Sequence, residues 1–460
     1  MEVLEQDNQR SRWRRTLATV KEPQAGVFFA LSAFYFAYCA RPEDWIPGLM
    51  YVPMAKISGI FALIGLLMAA GRTKRGFRDL PREAAYLVGI IFLLFLAGAL
   101  STIWRGGAIS KTIDFCKVVV AWVLTFMVVT NFERFRRIIF IQSGSVALIT
   151  VVSILKGHSR PRLEGVIGGI YSNPNDLAFA IVLSLPFCFA FLLRTRRLLA
   201  KVAWGLSMLA MCAALFLTAS RAGFIDLLVT GAICLWLFGV KGKRIHLVAG
   251  AALVALVIGS TAGGRLKQRF EAISEADPES TMDISARGSY EQRRYLMIRA
   301  GEAIVHYPWG LGQDNFVIYS GTWREVHTSY LQLAAEGGVL ALALYLAFFA
   351  RGFSNLKRLR KLPGYDPEVQ LFADALFATL VGFLVGSLFA PEAYQYFPYF
   401  AVAYTSVLYA MAKEKQKEQE KEKGRAAVLR PPWSGAPVPA GPREASQPVR
   451  SPSAILRDLR

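Results

Sequence analysis

Residues 202–240 read VAWGLSMLAMCAALFLTASRAGFIDLLVTGAICLWLFGV, an apolar stretch bounded by Lys201 and Lys241. Crossing a hydrocarbon core takes about 20 apolar residues in a helix. These 39 residues hold one basic side chain, Arg221, so they read as two spans back to back with almost no loop. Arg221 then falls in the turn Ala219-Ser220-Arg221-Ala222-Gly223, at or just inside one membrane face. A charge there is costly unless it is paired or faces water.

Carried outward, the same ruler gives twelve spans, near residues 24–40, 53–70, 84–104, 112–130, 138–156, 176–193, 202–220, 222–240, 245–262, 328–350, 371–390 and 397–412. Composition points the same way. Of 460 residues 54% are hydrophobic and 19% charged, against roughly 25% charged in soluble domains, and the mean hydropathy is +0.36. The net charge of +20 comes from short Lys/Arg clusters between apolar runs. A soluble nucleic-acid binder would carry a continuous basic face instead, so that class is excluded. The expected fold class is an all-α polytopic membrane protein with a large external loop, about 263–327, between the ninth and tenth helices. Cys39, Cys116, Cys188, Cys212 and Cys234 all lie in apolar runs without CxxC or His-paired spacing, so they read as small buried hydrophobes with no zinc site or disulfide framework.

Orientation follows the basic connections. Arg72/Lys74/Arg75/Arg78/Arg82, Arg134/Arg136/Arg137, Arg194/Arg196/Arg197/Lys201, Lys241/Lys243/Arg244 and the run Arg351 to Lys361 alternate with connections poorer in charge. Those five face the cytoplasm, together with both termini. The first span follows Arg10, Arg12, Arg14 and Arg15 and resembles a signal peptide, but no small-residue cleavage site follows it, so it reads as an anchor. The expected organisation is a cytoplasmic tail over 1–23, a membrane domain over 24–412, and a cytoplasmic tail over 413–460. That last tail begins with alternating Lys, Glu and Gln to Lys423, a helical extension. It ends rich in Pro, Ser, Ala and Gly, a composition that cannot build a core.

Four features gather on the outer face: a turn-rich loop with Arg160 and Arg162 that ends in Asn173-Pro174-Asn175, Arg221 in its hairpin, Arg293/Arg294, and His327 opening a span. Residues 290–305 mix apolar Tyr290, Met297, Ile298 and Ile304 with basic positions, as a helix on the membrane surface does. The stretch Pro308-Trp309-Gly310-Leu311-Gly312-Gln313-Asp314-Asn315-Phe316 lacks the Gly-Lys-Ser/Thr ending of a P-loop. Arginine donates bidentately to phosphate oxygens and keeps its charge. A histidine among cations has its pKa depressed and stays neutral, able to accept a proton. Together they suit a lipid-linked diphosphate leaving group attacked by a hydroxyl.

Plainer readings stand beside that one. Arg160, Arg162, Arg293 and Arg294 also fit ordinary solvated or headgroup arginines, and His327 also fits a structural interfacial residue. Arg221 is harder to explain that way, because its hairpin gives it no open surface. His158, His246 and His306 read as structural. Glu336, nine residues after His327 and about 13 Å further along a helix, reads as steadying packing, and Asp226 and Asp374 as interhelix hydrogen-bond partners.

The order Arg162…Asn173-Pro174-Asn175, then Thr218-Ala219-Ser220-Arg221, then an arginine about fifteen residues before Pro308-Trp309-Gly310-Leu311-Gly312, then His327-Thr328-Ser329-Tyr330-Leu331…Glu336-Gly337-Gly338 resembles the O-antigen ligase/polymerase family. That group holds bacterial lipopolysaccharide ligases, O-antigen and exopolysaccharide polymerases and O-oligosaccharyltransferases. The segment Tyr38…Arg41-Pro42…Pro47 is similar to members found with exosortase-type exopolysaccharide clusters. The resemblance covers about residues 30–412. It implies a glycosyltransferase-C-like membrane enzyme of the bacterial inner membrane, acting on the periplasmic side. Such an enzyme moves a glycan from undecaprenyl diphosphate to an acceptor hydroxyl on lipid A-core, another glycan or a protein, with inversion and with no cofactor or essential metal. Family roles fall on His327 as the acceptor-activating residue and on Arg221 and Arg293 as diphosphate binders. Arg294 competes with Arg293 by a one-residue shift, and Arg162 is a further candidate for the anion or the glycan. The Pro-Trp-Gly-Leu-Gly turn is one residue shorter than in many members. The main rival is a transporter or flippase of a lipid-linked anionic glycan using the same arginines, and a scaffold in a polysaccharide export complex is a third reading.

Overall fold

A computed structural model describes residues 24–69, 73–156, 162–165, 171–262, 264–271, 281–362 and 366–428. His158 and Arg160 lie outside the described residues. The chain divides into one unit that ends at Ala412 and a second from Lys413 onward.

Among the described residues there is no strand, and each of the twelve apolar stretches is a helix. They are α1 (Ala25–Ala40), α2 (Met54–Met68), α3 (Arg82–Leu100), α4 (Arg105–Val128), α5 (Phe132–Lys156), α6 (Pro174–Arg194), α7 (Leu198–Leu217), α8 (Arg221–Cys234) and α9 (Ile245–Ala262). After α10 (Gly264–Glu271), α11 (Thr281–His306) and α12 (Asn315–Tyr319) come α13 (Ser329–Leu359), α14 (Pro367–Gly386) and α15 (Tyr396–Val428). A π-turn, Leu235–Val240, extends α8.

Seven of these are long and apolar enough to cross a membrane: α3, α5, α6, α7, α8 with its π-turn, α13 and α14. The other five fall short for visible reasons. The apolar parts of α1, α2 and α9 are shorter. α4 carries Arg105, Lys111, Asp114 and Lys117 in its first half, and the apolar part of α15 ends at Ala412. Large apolar side chains stand open on the outside of the bundle, among them Phe61, Phe92, Leu206, Leu228 and Leu256. So much exposed apolar surface fits a hydrocarbon solvent and not water. The protein is a multi-pass membrane protein.

α6 is apolar nearly all round, and a helix of that kind is buried on every side. It packs against α5, α7, α8 and α14. The charges at the basic connections have structural work as well as a topological signal. Arg75 is buried and donates to the Phe126 and Val129 carbonyls at 2.9 and 3.1 Å. Arg134 donates to the Val128 carbonyl at 3.1 Å. Both therefore satisfy the open carbonyls at the C-terminal end of α4, where positive charge is favoured.

The expected long loop over 263–327 is a largely helical connection. Leu296, Ala300 and Ala303 fall at i, i+4 and i+7 of α11 and form one buried cluster with Leu311, Phe316, Val326 and Ala335. That stripe docks α11 onto the start of α13. Its far side leaves Tyr290, Met297 and Ile298 exposed, the arrangement of a helix lying at a membrane surface. The two acids in apolar spans differ from each other. Asp374 accepts from Arg360, at the end of α13, at 2.5 Å, an interhelix bond. Asp226 instead accepts from Thr230 of its own helix at 3.3 Å, and it sits against Gly386 of α14. The close approach of α14 leaves no room there for a partner side chain.

Candidate functional site

The Arg221 hairpin is built by local chemistry. Ala219 takes a left-handed conformation (φ 48°) that stops α7. The Ser220 hydroxyl accepts from the Gly223 amide at 3.1 Å and caps α8, an interaction worth about 1 kcal/mol. A Cβ on Gly223 would lie 2.6 Å from the Ala178 Cβ of α6, so only glycine lets α8 begin this close to α6. Ser220 also donates to the Asn175 side-chain oxygen at 2.8 Å.

Asn173 opens α6, with its side chain accepting from the Asn175 amide at 3.0 Å and Pro174 in the first turn. Arg162 closes this corner, donating through Nε to the Thr218 carbonyl at 2.9 Å and through its terminal nitrogen to Asn175 at 3.3 Å. Arg162 thus braces the hairpin that presents Arg221. Its guanidinium is spoken for by protein atoms.

α11 and α13 bring the other two groups. Arg293 lies on the docked helix, with its Nε buried and without a hydrogen-bond partner. Burial, and then the charge of Arg221, push the Arg293 pKa down, though a guanidinium stays protonated. Arg293 in turn lies close enough to His327 to act on it. His327 is lowered to about 4, by burial first and then by Arg293 and Arg324. The histidine is therefore neutral at ordinary pH, with a lone pair available. Arg221 at the start of α8, Arg293 on α11 and His327 just before α13 are linked electrostatically in series, Arg221 acting on Arg293 and Arg293 on His327. Arg294 is exposed.

His327 lines an open cavity of about 400 Å³ with Asn173, Asp176, Trp323, Arg324, Glu325, Pro391, Glu392 and Gln395. Three carboxyl groups in that wall, Asp176, Glu325 and Glu392, are absent from the expectations above. Glu392 arrives on the connection between α14 and α15, which Ser329 clasps to the start of α13. The Ser329 hydroxyl donates to the Ala390 carbonyl at 2.7 Å and accepts from the Glu392 amide at 2.9 Å. Burial, then the carboxylates of Asp176 and Glu325, push Glu392 well above the usual carboxylate range. Asp176 had a signal in the sequence, as an acid in the first turn after Asn173-Pro174-Asn175. Glu392 had little, because nothing local ties Pro391-Glu392 to a histidine 65 residues earlier.

The two glycine motifs are halves of one joint. The Leu311 and Gly312 amides donate to the Ala335 and Glu336 carbonyls, both at 2.9 Å, and the Val339 amide to the Pro308 carbonyl at 3.2 Å. This needs a break in α13, where Gly338 has φ 84° and ψ 167°. A Cβ on Gly310, itself at φ 95°, would stand 2.4 Å from the Glu336 carbonyl oxygen. The joint fixes the end of α11 relative to the start of α13, and so Arg293 relative to His327. Glu336 is buried inside it, facing Tyr394. Among the described residues no group of three or more His, Cys, Asp or Glu side chains is placed to hold a metal ion.

Residues 206–346 match the family model for O-antigen ligase. The chain carries an O-antigen ligase-family domain. The match runs from α7 through the first half of α13, so it contains the Arg221 hairpin, the docked α11, the glycine joint and His327. Arg162, Asp176 and Glu392 lie outside the matched O-antigen ligase segment. Comparison with curated proteins gives no match. The match supports a membrane glycosyltransferase of the O-antigen ligase/polymerase type.

Proposed function

We propose that this protein moves a glycan from undecaprenyl diphosphate to an acceptor hydroxyl at the periplasmic face of the bacterial inner membrane, without a metal and with inversion. The observation that carries the proposal is the electrostatic linkage of Arg221, Arg293 and a neutral His327 beside an open cavity. Breaking the bond to a diphosphate builds negative charge on the leaving oxygen, and fixed guanidinium groups stabilise it most in a water-poor site. Arg221 and Arg293 bind the diphosphate. His327 Nδ1 or Nε2 takes the acceptor proton as that hydroxyl attacks the anomeric carbon. A single displacement inverts that carbon.

Arg162 positions Arg221 through Thr218 and Asn175 and does not itself bind the donor. Arg294 serves the surface of α11. Trp323, exposed at the cavity wall, offers a flat apolar face to the C–H side of a sugar ring. All twelve helices cross the membrane in this reading, with both termini cytoplasmic. α1, α2 and α9 cross by thinning the bilayer locally, which a short span does at modest cost.

A transporter would place its polar groups near the bilayer midplane, whereas these stand at the entry ends of α6, α8 and α13. The test is turnover of a lipid-diphosphate glycan by the purified full chain in detergent, where no two sides exist. Product formation supports the enzyme. Binding of the donor without any product, under conditions where an acceptor is present, supports the carrier. In a deletion strain, loss of polymer from lipid A with carrier-linked chains retained identifies a ligase. Loss of chain length or of free exopolysaccharide identifies a polymerase.

A further inference from the structure

α6 has a second cavity at its other end. Asp176 lines the His327 cavity, while Phe191 and Arg194 line the second one. Asp176 and Arg194 are 18 residues apart on one helix, about 27 Å at the helical rise, close to a hydrocarbon thickness. The second cavity holds about 850 Å³, and its charged wall is Arg136, Arg137, Arg194, Arg196 and Arg197 against Glu133 and Glu368. Five guanidinium groups facing two carboxylates leave three positive charges.

The carboxylates are already used. Glu368 accepts from both Arg136 and Arg194, and Glu133 pairs with Arg137 at 2.8 Å. Arg196 and Arg197 make no ion pair among the described residues. They form the tight link between α6 and α7, and Arg197 precedes α7 without a side-chain cap on its N-terminus. The open amides of that first turn add positive potential to the same wall. An apolar flank adjoins the charges. Phe191 stacks on Trp204 at 5.0 Å with Phe140 edge-on beside them. Phe140, Leu198, Leu199, Val202 and Leu206 are all exposed.

We propose that this cavity is a binding site for the phosphate headgroup of an anionic phospholipid, held by Arg196, Arg197 and the first turn of α7. The acyl chains lie along Phe140, Trp204 and the exposed face of α7. A soluble phosphate would use the charges but leave the apolar flank bare, so the lipid is the occupant that fits both. The site stands a membrane thickness from His327 and needs none of the glycan chemistry, so it does not depend on the proposed reaction.

The test uses the purified full chain, with native mass spectrometry counting lipids retained after exchange into phosphatidylglycerol or phosphatidylcholine. Each basic side chain near an anionic surface contributes enough that losing two lowers affinity about 30-fold. The expected result is preferential retention of phosphatidylglycerol by the native protein. R196Q/R197Q, exposed and of similar size, loses that preference about 30-fold, and R196K/R197K restores most of it. R196Q/R197Q keeps the native melting temperature in detergent, which shows that the variant is folded. Equal retention of the two lipids by the native protein overturns the proposal. Competition by millimolar inorganic phosphate that matches the effect of phosphatidylglycerol overturns the lipid assignment in favour of a free anion.

Discussion

Both ends of α6 are rich in arginine, yet the two ends are organised in opposite ways. At the α6–α7 end Glu368 and Glu133 pair with three of the five guanidinium groups. At the other end Arg293 has a buried, unpartnered Nε and presses on Arg221 and His327, while the carboxyl groups nearby line a separate cavity wall with the histidine. Holding like charges close together is costly inside a protein. The structure sustains it through Arg162, the Ser220 cap and the glycine joint. In the proposed reaction this arrangement receives the diphosphate of the donor.

The largest expected contrast is in the reaction itself. His327→Ala lowers glycan transfer by about 10²–10⁴, the range for removing a general base, at unchanged protein level in the membrane. Arg221→Ala or Arg293→Ala each lowers it by about 10²–10³, the range for losing one donor to a developing oxyanion. Arg294→Ala stays within about threefold, since its side chain is exposed and an exposed charge contributes little. Initial rates on the purified variants with a lipid-diphosphate donor check all four. An Arg294→Ala loss as large as that of Arg293→Ala would invert the assignment of the two neighbours.

How much of this the sequence carries depends on the range of the interactions. Each of the twelve apolar stretches is helical, and seven of them are long and apolar enough to cross a membrane, because span length and apolarity are properties of local composition. Arg221 is legible for the same reason, as a lone charge in a span-to-span turn. In the long 263–327 connection residues 290–305 are legible as a surface helix, but the face by which that helix docks is not, because α11 is polar on most of its surface. Its docking stripe of Leu296, Ala300 and Ala303 has meaning only against Val326 and Ala335. The pairing of Pro308–Gly312 with Glu336–Gly338, and the arrival of Glu392 beside His327, are contacts between segments that no local pattern joins.

The glycine joint offers the next test of the comparison. Gly310→Ala places a Cβ 2.4 Å from a carbonyl oxygen at a left-handed φ, a strain of about 1–3 kcal/mol. It lowers transfer because it shifts α11 against α13, while phosphatidylglycerol retention at the far end of α6 stays native. Retention that falls together with transfer would mean global unfolding and would separate neither end.

A pH series gives a smaller effect. With its pKa lowered to about 4 by burial, Arg293 and Arg324, His327 is neutral in the folded protein where a free histidine is half-charged near 6.5. Between these values the unfolded chain binds more protons than the folded one, so stability rises with pH across that window. His327→Gln flattens that slope in thermal melts of the detergent-purified protein between pH 4 and 6.5. Native transfer is expected to be flat from pH 6 to 8. A native rate that falls by half as pH drops through 6.5 would contradict a depressed pKa.

The most direct measurement compares single-turnover glycan transfer from a lipid-diphosphate donor by the purified native protein and by His327→Ala, in detergent and at saturating donor. The account predicts product with the native chain and at least a hundredfold slower formation with the variant, donor binding being retained through Arg221 and Arg293. Transfer by His327→Ala at the native rate would contradict it.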